Sequence, residues 1–311
     1  MSNNIYNDPK KSLTLYELSD NLDFIIDLYN LNKMPKVLML TGQKGIGKFT
    51  MVSHFLNYFY NKKSYDSKNK IINKNSSFYK CYIEDAFPNI IYLPGDNFKN
   101  IKVEDIRNLK SQLAKSSMLN KERFIILDDV ELFNINSLNA LLKIIEEPSE
   151  NNYFVLINNQ STTILETVRS RSLEIKVRLT NEKRIKIIEK LIENNNLESL
   201  IDYRAISLSP GNFISYNDIL TIHKIKLEDE YLHNIEKILS LYKKYKDNNF
   251  INLALLLTNN YFLSLKEKKI ENFDKIIEKK SFIISNINKF VLFNLNQNSL
   301  LNAINNKLSN E

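Results

Sequence analysis

The chain has 311 residues, and 43 lysines and arginines against 36 aspartates and glutamates give it a formal net charge of +7. With 43% hydrophobic and 25% charged residues it has a globular composition, which excludes disorder throughout and predicts two or three domains. No apolar run reaches the roughly 18 residues of a membrane span, and residues 1–11 lack a secretory signal. We therefore expect a cytoplasmic protein without a membrane partner. A single cysteine, Cys81, and three scattered histidines exclude a disulfide framework and a cysteine-rich zinc site.

The glycines indicate the first candidate site. Three of the five fall in the segment GQKGIGK of residues 42–48. An apolar run at 37–41 predicts a strand before this segment, and apolar residues at i, i+3, i+4 and i+7 from Val52 predict a helix after it. A strand, a glycine loop and a helix in this order are typical of a phosphate-binding loop. The predicted phosphate-binding residues are Gly42, Gly45, Gly47 and Lys48. The alternative is a glycine turn with an exposed lysine.

One departure from the phosphate-loop pattern concerns the metal ion. The pattern has Ser or Thr directly after the lysine, where the hydroxyl binds Mg²⁺. Phe49 stands there, and Thr50 comes one residue late, which on a helix is about 100° of rotation. We therefore expect weak ATP binding, or binding without hydrolysis, with Mg²⁺ present only together with the nucleotide.

The segments that follow alternate between strands and helices. Residues 61–88, with weak periodicity, are interpreted as an insertion or a long connection. Short apolar runs predict four more strands, and periodic segments predict helices from Val103, over 135–147 and over 163–168. The strands cover 89–93, 124–127, 153–157 and 173–177. This order predicts an α/β domain with a parallel sheet and helices on both faces, and the remainder of the chain is predicted to be helical.

Polar residues at the ends of two of these strands are the next candidates. Asp128, after the third strand, is placed to hold the water shell of Mg²⁺. An ATPase of this type usually has Glu next to it, whereas Asp129 is shorter by one methylene, about 1.5 Å of reach. Asn158 ends the fourth strand, where such folds place a polar residue near the γ-phosphate. The alternatives are surface acids that end a strand and an asparagine without a role.

The segment Arg169-Ser170-Arg171-Ser172 lies between a short predicted helix and the last strand. An arginine at this junction can project from the domain. The alternative is a pair of solvated charges.

Several of these motifs together resemble the clamp-loader branch of the AAA+ family, and within it the delta-prime subunits of bacterial DNA polymerase III. The similarity extends over about 140 residues. It is carried by VEDIR at 103–107, the strand that ends in Asp128, NALLKIIEEP at 139–148, and Ser170-Arg171-Ser172. The last triplet is similar to the Ser-Arg-Cys motif of the family.

The resemblance implies roles for single residues. Arg171 would complete the ATP site of a neighbouring subunit in trans. Ser209-Pro210-Gly211-Asn212 resembles a lid turn that often carries a nucleotide-contacting arginine, which Asn212 replaces. Together with Phe49 and Asp129, this indicates a subunit that hydrolyses little or no ATP itself.

The resemblance also implies an architecture and partners. We expect an AAA+ nucleotide-binding-like domain over 1–178, a three-helix lid over 179–222 and a helical collar for oligomerisation over 223–311, with apolar residues such as those at 253–257 and 290–293 in the collar contact. Residues 61–88 stand where related subunits often carry a zinc module, and no zinc is expected. The implied partners are gamma/tau-like and delta-like clamp-loader subunits, a sliding clamp and primer-template DNA. Basic residues beside one helix are candidates for DNA phosphates: Lys102, Arg107 and Lys110.

Three other functions remain as alternatives at this point. The chain could be an active gamma/tau-like clamp-loader ATPase or another AAA+ ATPase that remodels DNA, but Phe49 and Asp129 argue against hydrolysis. A small-molecule kinase with a phosphate loop is disfavoured by the NALLK segment and by the helical last third.

Overall fold

The computed structural model describes residues 8–95, 101–114, 121–267 and 273–309. The chain divides into two compact units, one formed by residues up to 197 with 203–213, the other by 198–202 with 214–311. The strands are β1 Val37–Thr41, β2 Ile90–Pro94, β3 Arg123–Asp128, β4 Asn152–Asn158 and β5 Leu173–Lys176. The helices are α1 Ser19–Asn30, α2 Lys48–Asn61, α3 Ser77–Ile83, α4 Val103–Leu113, α5 Ile135–Ile145, α6 Glu166–Arg169, α7 Asn181–Asn195, α8 Pro210–Ile222, α9 Tyr231–Tyr245, α10 Asn248–Glu267, α11 Phe273–Phe293 and α12 Gln297–Ser309.

The first unit is built on one parallel sheet with the strand order β2-β3-β4-β1-β5. The register places Thr41 beside Asn158 on one side and beside Lys176 on the other. All five residues of β1 are buried, and so are the first five of β3. Strands that are buried on both faces need apolar side chains at every position, which is why the sequence gives nearly continuous apolar runs. The predicted parallel α/β fold is confirmed.

Helices cover both faces of this sheet, and successive residues of each strand face opposite sides. Leu38 and Leu40 belong to the core that includes residues of α1, α2 and α3. Met39, between them, belongs to the core that includes residues of α4, α5 and α6. The carboxyl ends of the strands therefore all lie at the same end of the sheet, where β1 continues into the glycine loop.

The connection over residues 61–88 contains a helix that its weak periodicity did not indicate. This helix, α3, begins after Ser76, whose hydroxyl accepts a hydrogen bond from the N–H of Tyr79 at 3.2 Å. The segment packs on aromatic rings: Phe78 stacks on Tyr60 with ring centres 5.3 Å apart, and Phe87 meets Phe78 edge to face at 4.8 Å. Seven residues are too few to show a helical period, so only the packing shows the helix. Cys81 lies exposed on it.

The expectation of three helices over 179–222 is wrong, because the structure has two, α7 and α8. The intervening segment is held by Arg184, a buried residue of α7. Its guanidinium donates to the carbonyls of Tyr203 (2.8 Å), Ile206 (3.4 Å) and Leu208 (3.2 Å). Carbonyls that point to one guanidinium are not available for the regular i to i+4 bonds of a helix.

The second unit is helical, as predicted for the last third of the chain. It contains α9 to α12 and most of α8. Leu253 and Phe290 are part of its buried interior, whereas Leu292 and Phe293 are 76% and 69% exposed. Across the described residues, no helix has the length and apolar character of a membrane span.

Candidate functional site

The phosphate loop joins β1 to α2 at the open edge of the sheet. Gly45 and Gly47 have φ angles of +81° and +101°, a region that L-residues with side chains rarely adopt. A Cβ atom on Gly47 would lie 3.0 Å from the Cδ1 of Leu18. The loop therefore has the backbone conformation that its glycines predict, and Leu18 packs directly over its last turn.

Lys48, the lysine of the loop, is buried, with 3% of its surface exposed. Its Nζ donates to the carbonyl oxygens of Gly42 at 2.5 Å and Gln43 at 2.8 Å. Burial lowers the pKa of Lys48 to about 8, although the carboxylates of Asp128 and Glu131 act in the opposite direction. The ammonium thus uses two of its three N–H groups on carbonyls of its own loop, which leaves one for an incoming phosphate.

Phe49 takes the position of the metal-binding hydroxyl and is itself part of the core. The side chain is 8% exposed, and its ring meets Tyr92 of β2 edge to face, with the ring centres 5.2 Å apart. Thr50 follows in the first turn of α2 and is half-buried. The position that would carry a magnesium ligand is therefore occupied by an aromatic contact.

The two acids at the end of β3 lie beside this aromatic pair. Asp128 accepts a hydrogen bond at 3.4 Å from the hydroxyl of Tyr92. Burial, and then the neighbouring carboxylate of Asp129, raise the pKa of Asp128 to about 6. Burial and the Asp128 carboxylate also raise the pKa of Tyr92. Burial and the neighbouring carboxylate thus both disfavour the charged form of Asp128 in the folded protein.

Asp129 differs from a catalytic acid in its partners. Its Oδ2 forms an ion pair with the Nζ of Lys44 at 2.8 Å, and its Oδ1 accepts from the Nδ2 of Asn159 at 2.6 Å. Burial lowers the pKa of Lys44, but the Asp129 carboxylate outweighs it, so the net pKa is raised. Both oxygens of Asp129 are bound to side chains, and the residue has a left-handed φ of +49°.

Two residues at this edge were missed by the sequence analysis. Asn158 ends β4 as predicted, but its Oδ1 accepts from the N–H of Gln160 at 2.9 Å, while the next residue, Asn159, contacts the acids. Glu131 is buried and accepts from the N–H of Asn159 at 3.1 Å and from the hydroxyl of Ser161 at 2.8 Å. A third acid within three residues of the end of β3 was the available signal for Glu131. No local signal distinguishes two adjacent asparagines.

The turn at residues 209–212 packs against the phosphate loop. The N–H of Gly211 donates to the carbonyl of Gly45 at 2.8 Å. A Cβ on Gly211 would lie 2.9 Å from both the Cα and the O of Gly45, and a Cβ on Gly45 would overlap with the hydroxyl of Ser209. The two glycines thus allow two backbone segments to touch. Asn212, which replaces the lid arginine of the resemblance, lies beside this contact.

Arg171 lies at the amino ends of the strands, opposite the phosphate loop. It precedes β5, whereas the phosphate loop follows β1, and these two strands are parallel neighbours. Its Nε and Nη2 donate to the Oε1 of Glu146 at 3.0 and 2.5 Å, and its Nη1 donates to the carbonyl of Thr167 at 3.0 Å. The side chain is 36% exposed. Arg169 instead forms longer ion pairs with Glu166 (3.6 Å) and Glu174 (3.8 Å).

The structure therefore brings together the loop, Asp128, Asp129 and the end of β4, and keeps Arg171 away from them. A guanidinium at the amino ends of the strands cannot reach a phosphate that is held in the phosphate loop of the same chain. The strand order, the phosphate loop and the helical second unit define a AAA+ protein.

Comparison with known sequences identifies the family. The sequence profile described as DNA polymerase III, delta subunit, matches residues 19–181, more than half of the chain. The chain belongs to this family, as a delta'-like clamp-loader subunit.

Known relatives and one solved structure agree with this assignment. DNA polymerase III subunit delta' of Buchnera aphidicola subsp. Baizongia pistaciae is 26% identical over 249 residues, which is 76% of this chain and 69% of that protein. The delta' subunit of the subspecies Schizaphis graminum is 27% identical over 235 residues, covering 75% and 68%. A DNA polymerase III gamma subunit-related protein of Thermotoga maritima aligns with a TM-score of 0.51 at 17% identity, over 90% of this chain and 96% of that one, and so shares its fold.

Proposed function

We propose that this chain is a clamp-loader subunit that hydrolyses little or no ATP itself and completes the ATP site of a neighbouring subunit with Arg171. The observation that carries the first half is the carboxylate of Asp129. A catalytic acid must accept a hydrogen bond from the attacking water. Here one oxygen is already paired with Lys44 and the other accepts from Asn159, so an attacking water would have to share an oxygen with one of these donors.

The surroundings of the loop support weak nucleotide binding. Lys48 is already hydrogen-bonded to two carbonyls, and Phe49 provides no hydroxyl for Mg²⁺. ATP would be held by the loop without turnover, with Gly42, Gly45, Gly47 and Thr50 next to its phosphates. Magnesium would arrive only with the nucleotide, near Asp128, and Asn158 is a proposed neighbour of the γ-phosphate.

The position of Arg171 supports a role in trans. Arginine stays charged and can meet a phosphate through two N–H groups at once. Its place at the amino end of β5 leaves it exposed in part and far from its own phosphate loop. We propose that it contacts the γ-phosphate in the site of a gamma/tau-like ATPase.

The remaining architecture and partners are proposed with this function. The AAA+ domain would extend to residue 178, the lid over 179–222 and the collar over 223–311, the collar joining this chain to gamma/tau-like and delta-like subunits. The exposed Leu292 and Phe293 suit that contact. The complex would place a sliding clamp on primer-template DNA in the cytoplasm. Three exposed basic residues, on α4 or directly before it, are candidates for contacts with DNA phosphates: Lys102, Arg107 and Lys110. Of these, Arg107 also pairs with Glu104 on the same helix.

The test uses the reconstituted clamp loader with its sliding clamp and primed DNA. The chain alone should show no turnover near the usual range of about 1 s⁻¹ or faster. Arg171→Ala should slow the stimulated hydrolysis of ATP by the complex. An arginine finger contributes roughly 10³ to 10⁵ in rate at its own site, but the whole complex loses less because several sites share the ring. Arg169→Ala is the control, and it should leave the rate nearly unchanged.

Two results would refute the proposal. Rapid hydrolysis by the isolated chain would favour a gamma/tau-like ATPase instead. A complex with Arg171→Ala that hydrolyses ATP and loads clamps at the wild-type rate would exclude the role in trans.

A further inference from the structure

The side chain of Arg171 is held in one orientation by two groups of its own domain. Glu146, the residue directly after α5, accepts from Nε at 3.0 Å and from Nη2 at 2.5 Å through its Oε1. The carbonyl of Thr167, in α6, accepts from Nη1 at 3.0 Å. Both acceptors are fixed by helices that pack on the sheet, since Ile145 and Val168 are buried in the same core.

The number of N–H groups shows what this arrangement leaves available. A guanidinium carries five N–H groups in a rigid plane. Three of them are used here: the single one on Nε, one of two on Nη2 and one of two on Nη1. One N–H therefore remains on each terminal nitrogen. Two parallel N–H groups on the terminal nitrogens are the arrangement that binds two oxygens of a phosphate.

We infer that Glu146 is a positioning residue for Arg171, which fixes the partly exposed guanidinium while one N–H on each terminal nitrogen stays available. This inference rests on the proposed role of Arg171 in trans. A free arginine side chain samples many rotamers, and a reacting group that is displaced by about 1 Å can lose a factor of about 10² in rate. Glu146 removes this freedom before the subunits meet.

The adjacent glutamate provides a matched control. Glu147 is also exposed and carries the same charge, but no hydrogen bond or ion pair of its side chain is found among the described residues. Glu146→Ala and Glu147→Ala therefore remove the same charge one residue apart. An exposed ion pair of this kind contributes little to folding, so neither variant should unfold the domain. Thermal unfolding of each isolated chain checks this point.

The experiment is a double-mutant cycle on stimulated ATP hydrolysis by the reconstituted complex. Glu146→Ala should lower kcat by a factor of about 10 or more at the site served by Arg171, with little change in KM. Glu147→Ala should leave the rate at the wild-type value. In a chain that already carries Arg171→Ala, Glu146→Ala should have no further effect, because nothing is left to position. Glu146→Gln, which keeps an oxygen acceptor, should recover part of the lost rate.

Each other outcome is decisive. If Arg171→Ala slows hydrolysis but Glu146→Ala does not, the positioning role is wrong and the role of Arg171 stands. If Glu146→Ala accelerates hydrolysis, the ion pair holds the arginine back, and the inference is overturned. If Glu146→Ala slows the Arg171→Ala complex by the same factor as the wild type, Glu146 acts independently of the arginine. If Arg171→Ala itself has no effect, the proposed function fails and this inference fails with it.

Discussion

Acidification should destabilise the first unit through His54, a fully buried residue of α2. The Nδ1 of His54 lies 3.1 Å from the hydroxyl of Tyr65, and its Nε2 has no hydrogen-bond partner within the described part of the chain. Burial lowers the pKa of His54 from 6.5 to about 4, and the positive charge of Lys70 acts in the same direction. The folded protein therefore holds this imidazole neutral.

The sign of the effect follows from the two protonation states. The unfolded chain binds a proton below pH 6.5, whereas the folded chain binds it only below about pH 4. The stability that neutral His54 provides is thus complete above pH 6.5 and is lost as the pH falls from 6.5 to about 4. Between pH 7.5 and 5.0 the loss amounts to about 2 kcal/mol of the free energy of unfolding.

The same acidification has an opposite effect at Asp128. Its pKa is raised in the folded state, so the folded protein gains a proton there before the unfolded chain does, which stabilises it as the pH falls below about 6. The total pH dependence therefore mixes both groups, and a variant has to isolate the histidine. His54→Asn keeps a hydrogen-bonding atom near the position of Nδ1 and cannot titrate.

The assay is urea unfolding of the wild type and of His54→Asn at pH 7.5 and 5.0. The variant loses a constant amount of stability from the smaller side chain, and this amount cancels when each protein is compared with itself. We expect the free energy of unfolding to fall by about 2 kcal/mol more in the wild type than in the variant. Equal changes in the two proteins would show that His54 is not held neutral by burial.

Two further predictions concern the glycine contact and the segment after α2. Gly211→Ala should lower the free energy of unfolding by about 1–3 kcal/mol, because the new methyl group meets the backbone of Gly45, while Asn212→Ala should be nearly neutral in the same denaturation assay. A chelator should leave the thermal unfolding of the chain unchanged, because residues 61–88 pack on rings such as Phe78 and Phe87 rather than around a metal; a fall in the midpoint with EDTA would contradict this reading.

The sheet could be predicted because its physical signal is local. Strands buried on both faces need apolar side chains at each position, so Val37–Thr41 and the other runs were visible without any partner. The glycine loop was visible for a similar reason, since Gly45 and Gly47 occupy positive φ angles that other residues avoid. In both cases the residue type is required by the backbone itself.

The contacts of the site could not be predicted, because they depend on geometry that the sequence does not express. The pairing of Lys44 with Asp129 requires the left-handed backbone of an aspartate, 85 residues away along the chain. The choice of Asn159 over Asn158 depends on where β4 stops and its chain turns. The third lid helix was expected by resemblance, and it is absent because Arg184 binds the carbonyls of that segment.

On the proposed function, the phosphate loop of this chain also serves as a structural contact within the first unit. Two side chains at the nucleotide site already have protein partners: Lys48 has the carbonyls of its loop, and Asp129 has Lys44. The loop also holds the turn at residues 209–212 within the lid segment, through the bond from Gly211 to Gly45. A phosphate in the loop would draw on Lys48, whose ammonium already binds two carbonyls. On the proposed function these contacts favour weak nucleotide binding. The contribution of the subunit, Arg171, comes from the opposite ends of the strands and needs a rigid domain to hold it there.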